Sequence, residues 1–321
     1  MKFRYLESQE YSRWDDFVDS SPQGSIYTKS FYLKALAASF KIGVVEEDSS
    51  LLGGIVLAKN ELGMSTNSVF VKYLGILYDS FQDKDARAQS ARHQIDRLIV
   101  SHLSKCGVWS YTFHPNYTNW LSFYWAGYQQ TTRYTYQIRF VPSTDFKNSY
   151  REKVRHPLRQ AEKNRLVVDD ISTDEFIRVN TKTYQKRRAK PPYSSAWLKT
   201  FLISSEKAGY LYKKGVKDSD GNIHSVAAIV FDKKSANLIL HGTDPQFSNQ
   251  GGGTLLLDHL IEFARRNSSV FDFEGSMIER IELFYRGFGG DLVPYFKIFK
   301  ANLQTFLYEA SIKIYKKLFY K

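Results

Sequence analysis

Apolar positions along the chain change their period repeatedly, and the changes mark out elements. The first half opens on a strand, "KFRYL", then an amphipathic helix, "YSRWDDFVDSS". A second helix, "SFYLKALAASF", starts at Ser30, which the pattern predicts as its N-cap. Strands are predicted at "KIGVVEED", "LLGGIVLAKN" and "VFVKYLGILYD". A long helix over about Ala86–Lys105 follows, with Ile95, Leu98, Ile99, His102 and Leu103 at helical spacing. Strand "VWSYTFHP", helix "TNWLSFYWAG" and strand "TTRYTYQIRFV" complete this half.

The second half repeats the order with different residues. Helix "NSYREKVRHPLRQAEKN" leads to strand "RLVVDDI" and to a helix capped by Ser172 or Thr173. After Pro191 and Pro192 break the chain comes helix "SSAWLKTFLISSEKAG". A meander, "GYLYKKGVK", "HSVAAIVFD" and "ANLILHGTD", precedes helix "GGTLLLDHLIEFARRN" and strand "SVFDFEGS". An α/β fold of two topologically similar domains follows, residues 1–143 and 144–300 with the boundary near Pro142. Residues 301–321 read as a helix striped by Leu303, Phe306, Leu307, Ala310, Ile314 and Leu318. That stripe packs back on the domains or, alternatively, makes a peripheral contact with an anionic membrane.

Composition changes this picture in three ways. The 321 residues carry 45 Lys+Arg against 33 Asp+Glu, a net +12, which draws in anionic partners such as nucleic acid, phosphorylated substrates or a lipid surface. The single cysteine, Cys106, makes no internal disulfide and reads as a structural thiol. No apolar run reaches spanning length and the start has no signal-peptide pattern, so a cytoplasmic setting without an integral membrane segment is expected.

Candidate chemistry gathers in the second half. Gln250, Gly251, Gly252, Gly253 and Thr254 sit between a strand and a helix, where free N–H groups and the helix dipole favour an anion. A glycine-rich turn with no ligand is the plain alternative. Asp272 and Glu274 stand two apart in an apolar strand, so they share a face opposite Phe271 and Phe273. Two close carboxylates raise one pKa toward a value suited to deprotonating an ammonium nucleophile; alternatively they accept structural hydrogen bonds. His241 ends strand "ANLILHGTD" as a second base candidate, and backbone N–H groups there are expected to hold an oxyanion. The histidines lack metal-ligand spacing, so no metal site is expected, and no nucleophilic-serine elbow occurs.

The loop resembles the pyrophosphate-binding loop of the GNAT acyltransferase superfamily, with Gly251 and Gly253 as its two glycines and Ser248 where a cation is common. "VFDFEGSMIERIELFYRGFGGDLVPY" resembles the C-terminal signature of the Fem-type aminoacyltransferases. "WDDFVDSSPQGSIYTKSFYLKAL", "KVRHPLRQAEKN" and "TYQKRRAKPPYSSAWLKTF" are similar to further family segments, in order along nearly the whole chain. The resemblance implies tandem GNAT-like domains, each a mixed, mostly antiparallel sheet flanked by helices. It implies acyl or aminoacyl transfer from aminoacyl-tRNA to an amine-bearing cell-wall precursor or other small acceptor, with no tightly bound cofactor. Tyr285 stands where the family has a lysine, and Arg286 is one position off. An acyl-CoA-dependent N-acyltransferase and an inactive GNAT-like binding module are the alternatives.

Overall fold

The computed structural model describes residues 1–37, 39–59, 65–79, 86–103, 109–141, 145–275 and 277–300, together with 307, 310, 311 and 314. They form two compact units, one of Met1–Arg133 with the strand residues from Pro294, the other of Tyr134–Val293. The division falls inside a strand, ahead of the expected boundary at Pro142, which lies outside the described residues, as does Cys106.

The first unit runs β1 (Lys2–Tyr5), α1 (Tyr11–Ser20), α2 (Ser30–Ala35), β2 (Ser39–Glu47), β3 (Ser50–Lys59), β4 (Ser65–Thr66) and β5 (Ile76–Tyr78). It continues through α3 (Ala86–Leu103), β6 (Trp109–Thr112), α4 (Leu121–Trp125) and the start of β7 (Tyr128–Arg139). Strands β1, β2 and β3 pair antiparallel, β4 pairs β6 in parallel, and β6 takes an antiparallel neighbour from the far end of the chain, β13 (Asp291–Lys300). Trp109 and Phe123 stack at 5.5 Å inside this unit's core. The predicted strand "VFVKYLGILYD" forms only over Ile76–Tyr78, because Phe70 is left-handed and Gly75 (φ +150) lies against Phe113. Ser30 begins α2 without capping it; its N–H and hydroxyl both donate to the Asp15 carboxylate, each at 2.7 Å.

In the second unit come α5 (Glu152–Lys163), β8 (Val167–Asp169), α6 (Thr173–Lys186), α7 (Ser195–Lys207), β9 (Leu211–Lys217), β10 (Ile223–Phe231) and β11 (Ser235–Thr243). Helix α8 (Gly252–Asn267), β12 (Val270–Asp272) and α9 (Glu279–Arg286) follow. Ser172 caps α6 in a reciprocal box with Glu175, settling which of the two candidates does so. Strands β8 to β11 are antiparallel, β11 pairs β12 in parallel, and β12 pairs antiparallel with β7. The two units thus share one sequence of strand senses, as the repeated pattern predicts. Their sixth strands are exchanged: the end of β7, expected in the first domain, pairs in the second, and β13, expected in the second, pairs in the first. The apolar face of α8, with Leu256, Leu257, Leu260 and Ile261, is buried in this unit's core with Val216, Ala227 and Ile229 of the sheet. Of the C-terminal stripe, Leu307 and Ile314 are helical and exposed, while Leu303, Phe306 and Leu318 lie outside the described residues.

Candidate active site

Strand β11 alternates its side chains, so His241 and Thr243 face one way and Gly242 the other. On the Gly242 side the backbone meets α6, where a Cβ would come within 2.9 Å of Thr183 Oγ1. On the His241 side lies the start of α8: a Cβ at Gly253 would stand 3.2 Å from both His241 Nε2 and Thr243 Oγ1. Ser225 of β10 completes this polar edge, donating to the Gly242 carbonyl at 2.8 Å, with its hydroxyl 3.1 Å from Thr243 Oγ1 and 3.5 Å from His241 Nε2. Phe284 of α9 stacks on the imidazole at 5.9 Å.

His241, Thr243, Gly253 and Phe284, with Ser248 and Asn249, line a cavity of about 520 Å³, one wall of which comes from α5 through Lys153, Pro157 and Gln160. Those three are four and three residues apart, one face of the helix. The expected anion loop is split by the structure into separate roles. Gly251 caps α8 in a left-handed conformation (φ +86), and a Cβ there would stand 2.1 Å from the Pro157 carbonyl oxygen, so close packing on α5 demands glycine. Gly252 is buried over His224, while Gly251, Gly253 and Thr254 reach the cavity. Gln250 is half-buried outside the cavity wall, its carbonyl accepting from Asn164. Among the described residues, the backbone N–H groups of Gly251, Gly252 and Gly253 find no acceptor, whereas Thr254 N–H bonds Gly251. Open donors expected at the end of β11 are instead occupied, Thr243 N–H by Thr183 Oγ1 and Asp244 N–H by the His224 carbonyl. The open donors belong to α8, with its positive dipole end behind them.

His241 is half-buried, and loss of hydration, with the Arg187 charge adding to it, lowers its pKa to about 4. It is therefore a neutral imidazole at pH 7. Tyr285 packs on Phe273 at 4.9 Å; burial, then the Glu274 carboxylate, pushes its hydroxyl well above the ordinary range against the pull of Arg187.

The paired-acid expectation does not hold. Strand β12 stops at Asp272, and Glu274 turns left-handed (φ 57), so the two carboxylates do not share a strand face. Asp272 is buried and accepts from Thr135 Oγ1 at 2.6 Å, Gln137 Nε2 at 2.9 Å and the Glu274 N–H at 2.7 Å. It ties β12 to β7. Gly275 (φ +58) follows, where a Cβ would stand 2.2 Å from the Tyr134 carbonyl oxygen. Arg286 pairs with Glu282 at 3.3 Å, one helical turn away, and neither it nor Tyr285 lines the cavity. Sequence reasoning passed over the cavity residues Lys153, Gln160, Thr243 and Phe284, and Ser225 behind them; the wide spacing of "KVRHPLRQ" on one helix face was the available signal for the first two.

The second unit has a mixed sheet whose meander feeds a parallel pair, with a helix N-terminus opening beside the strand end, and residues 148–277 match the Acetyltransferase (GNAT) domain. That match spans part of the second unit, and over the whole chain the fold is similar to that of FemX. It aligns with FemX at 12% identity and TM-score 0.67, covering 97% of this chain and 99% of that one. The L-PGS of Bacillus licheniformis aligns at 10% identity, TM-score 0.58, over 99% and 98%. A tandem GNAT protein from the clavulanic acid biosynthesis pathway aligns at 12%, TM-score 0.53, over 94% and 98%. At these identities the likeness is one of fold. No curated protein sequence matches the chain. Among the described residues no helix is long and apolar enough to cross a membrane.

Proposed function

We propose that the chain transfers an aminoacyl group from aminoacyl-tRNA to the amine of a cell-wall or cell-surface precursor, in a cytoplasmic setting. The observation that carries the acyl-transfer reading is the neutral His241 imidazole lying against Gly253 at the start of α8, in a cavity walled by α5. The amine nitrogen attacks the ester carbonyl carbon; a C–N bond forms and the C–O bond to the carrier breaks. His241 accepts the hydrogen bond of the incoming amine and takes its proton as the bond forms. The open N–H groups of α8 and the Lys153 ammonium hold negative charge, on the developing oxyanion or on a carrier phosphate. The proton taken up by His241 passes to the leaving carrier oxygen as the C–O bond breaks. The net charge of +12 and the Fem-like fold support the tRNA donor.

A second reading, an acyl-CoA donor, is favoured by the three unsatisfied amides of Gly251–Gly253, a cradle for a pyrophosphate. Incubation with isotope-labelled aminoacyl-tRNA and, separately, acyl-CoA pools, with mass analysis of amine products, decides between them. Product from tRNA alone, lost in His241→Gln, is the expected result; an acylated amine from neither donor overturns the enzyme reading.

A further inference from the structure

Helix α4 in the first unit presents the wrong side to water. Ser122 and Phe123 are buried, whereas Leu121, Tyr124 and Trp125 are 43%, 60% and 57% exposed. Their spacing, three and one residues apart, sets them on one helix face. Trp120 packs edge-on to Tyr124 at 5.5 Å and extends the patch. The neighbouring α3 adds two guanidinium groups, Arg97 lying 5.9 Å over the Trp125 ring and Arg87 exposed further along the helix, and its His93 ring packs 5.4 Å from Trp125. The one acid of α3, Asp96, is buried beneath Tyr78 and Tyr117, and residues 116–127 contain none.

A surface of amphipathic rings, a leucine and guanidinium groups, with no exposed carboxylate on α4 or among the residues of α3, suits one environment, the headgroup layer of a bilayer. Tryptophan and tyrosine there keep an apolar body in the acyl boundary and a polar tip in water, while arginine meets phosphate. We propose that α4 and the exposed face of α3 form a membrane-surface docking site for anionic phospholipid, with Leu121, Tyr124 and Trp125 inserted and Arg97 on the lipid phosphate. Single-stranded nucleic acid would use the rings for stacking but leaves Leu121 without a role. A two-fold contact with a second copy would set Arg97 against its own like charge.

The test is cosedimentation of the full chain with phosphatidylcholine vesicles, with and without phosphatidylglycerol. Binding is expected only with the anionic lipid and falls with added salt. The double variant Tyr124→Ser/Trp125→Ser and the exposed single variant Arg97→Glu are each expected to bind about tenfold more weakly, with melting temperatures unchanged. Equal binding to neutral vesicles, or variants that bind like the parent, overturns the proposal. So does an RNA oligonucleotide or self-association that is lost in Tyr124→Ser/Trp125→Ser while vesicle binding persists.

Discussion

A histidine walled by a glycine edge and an aromatic ring has lost the water that would hydrate its cation, and His241 is in that position between Gly253 and Phe284. Its C2 proton resonance is expected to titrate near 4; a midpoint near the ordinary 6.5 would show that the ring is hydrated after all. Because the folded pKa lies below the unfolded one, the folded chain binds fewer protons between pH 6.5 and 4, so stability falls as pH drops through that window. His241→Gln removes the slope, about 3 kcal/mol at most, of which about 2 falls between pH 7 and pH 4.5 and is measurable by urea denaturation at those two values. Asp272 behaves differently. Asp272→Ala orphans donors from Thr135, Gln137 and Glu274 and is expected to cost about 3 kcal/mol of stability, with Asp272→Asn costing less. Near-complete loss of turnover in Asp272→Asn at unchanged stability would return it to the chemistry. His241 was legible because it ends a well-patterned strand. The role of Asp272 was not, since two of its partners stand 137 and 135 residues away.

At the scale of the element, the start of α8 makes a paired prediction. Gly251→Ala must relieve both a left-handed backbone and a collision with the Pro157 carbonyl, and is expected to destabilise by about 3 kcal/mol or more. Gly253→Ala meets His241 and Thr243 at tight but adjustable distance, so stability changes by about 1 kcal/mol while activity falls about tenfold or more as the imidazole is displaced. Chemical denaturation and turnover measured on both variants check the split; equal stability losses would show that Gly251 packs less tightly than this. The long helices α6, α7 and α8 were legible nearly end to end, since amphipathic spacing and caps such as Ser172 are local signals. By contrast, "SFYLKALAASF" is helical only to Ala35 and runs into β2, and α9 was not read as a helix. Strand ends were not. "SVFDFEGS" stops at Asp272 because a left-handed Glu274 and the Gly275 contact with β7 turn the chain, and neither cause is written in the local pattern.

Across the whole molecule, each unit keeps its own buried ionisable group. In the first, burial lifts the Asp96 carboxyl to about 7 against the hydrogen bonds of Tyr78 and Tyr117 and the charge of Arg92. A raised pKa means the folded state holds its proton longer, so this contribution is complete below pH 3.8 and is lost as pH rises through 7. Asp96→Asn, which cannot ionise, is expected to be more stable than the parent at pH 8, by up to about 4 kcal/mol, and close to it at pH 4. Urea midpoints at the two pH values test this. An equal penalty at both would mean that the amide breaks the tyrosine hydrogen bonds. The duplicated α/β plan was legible from element order alone, but the exchange of sixth strands was not, because β7 and β13 alternate like any other strand and nothing local says which sheet they join.

That exchange sets an order of assembly on the ribosome. All strands of the second unit's sheet have been made once β12 emerges, and β7, its outer neighbour, is already waiting. The first unit, although synthesised earlier, lacks the partner of β6 until Tyr295, Phe296 and Lys297 arrive; the Phe113 N–H bonds the Phe296 carbonyl at 2.8 Å, and Tyr73 packs on Tyr295 at 5.4 Å. The usual N-terminal-first sequence of cotranslational folding is reversed at its last step, and the unit begun first is closed last. Chains stalled before Tyr295 should therefore expose the β6 edge to chaperones and proteases even though most of the polypeptide has been made.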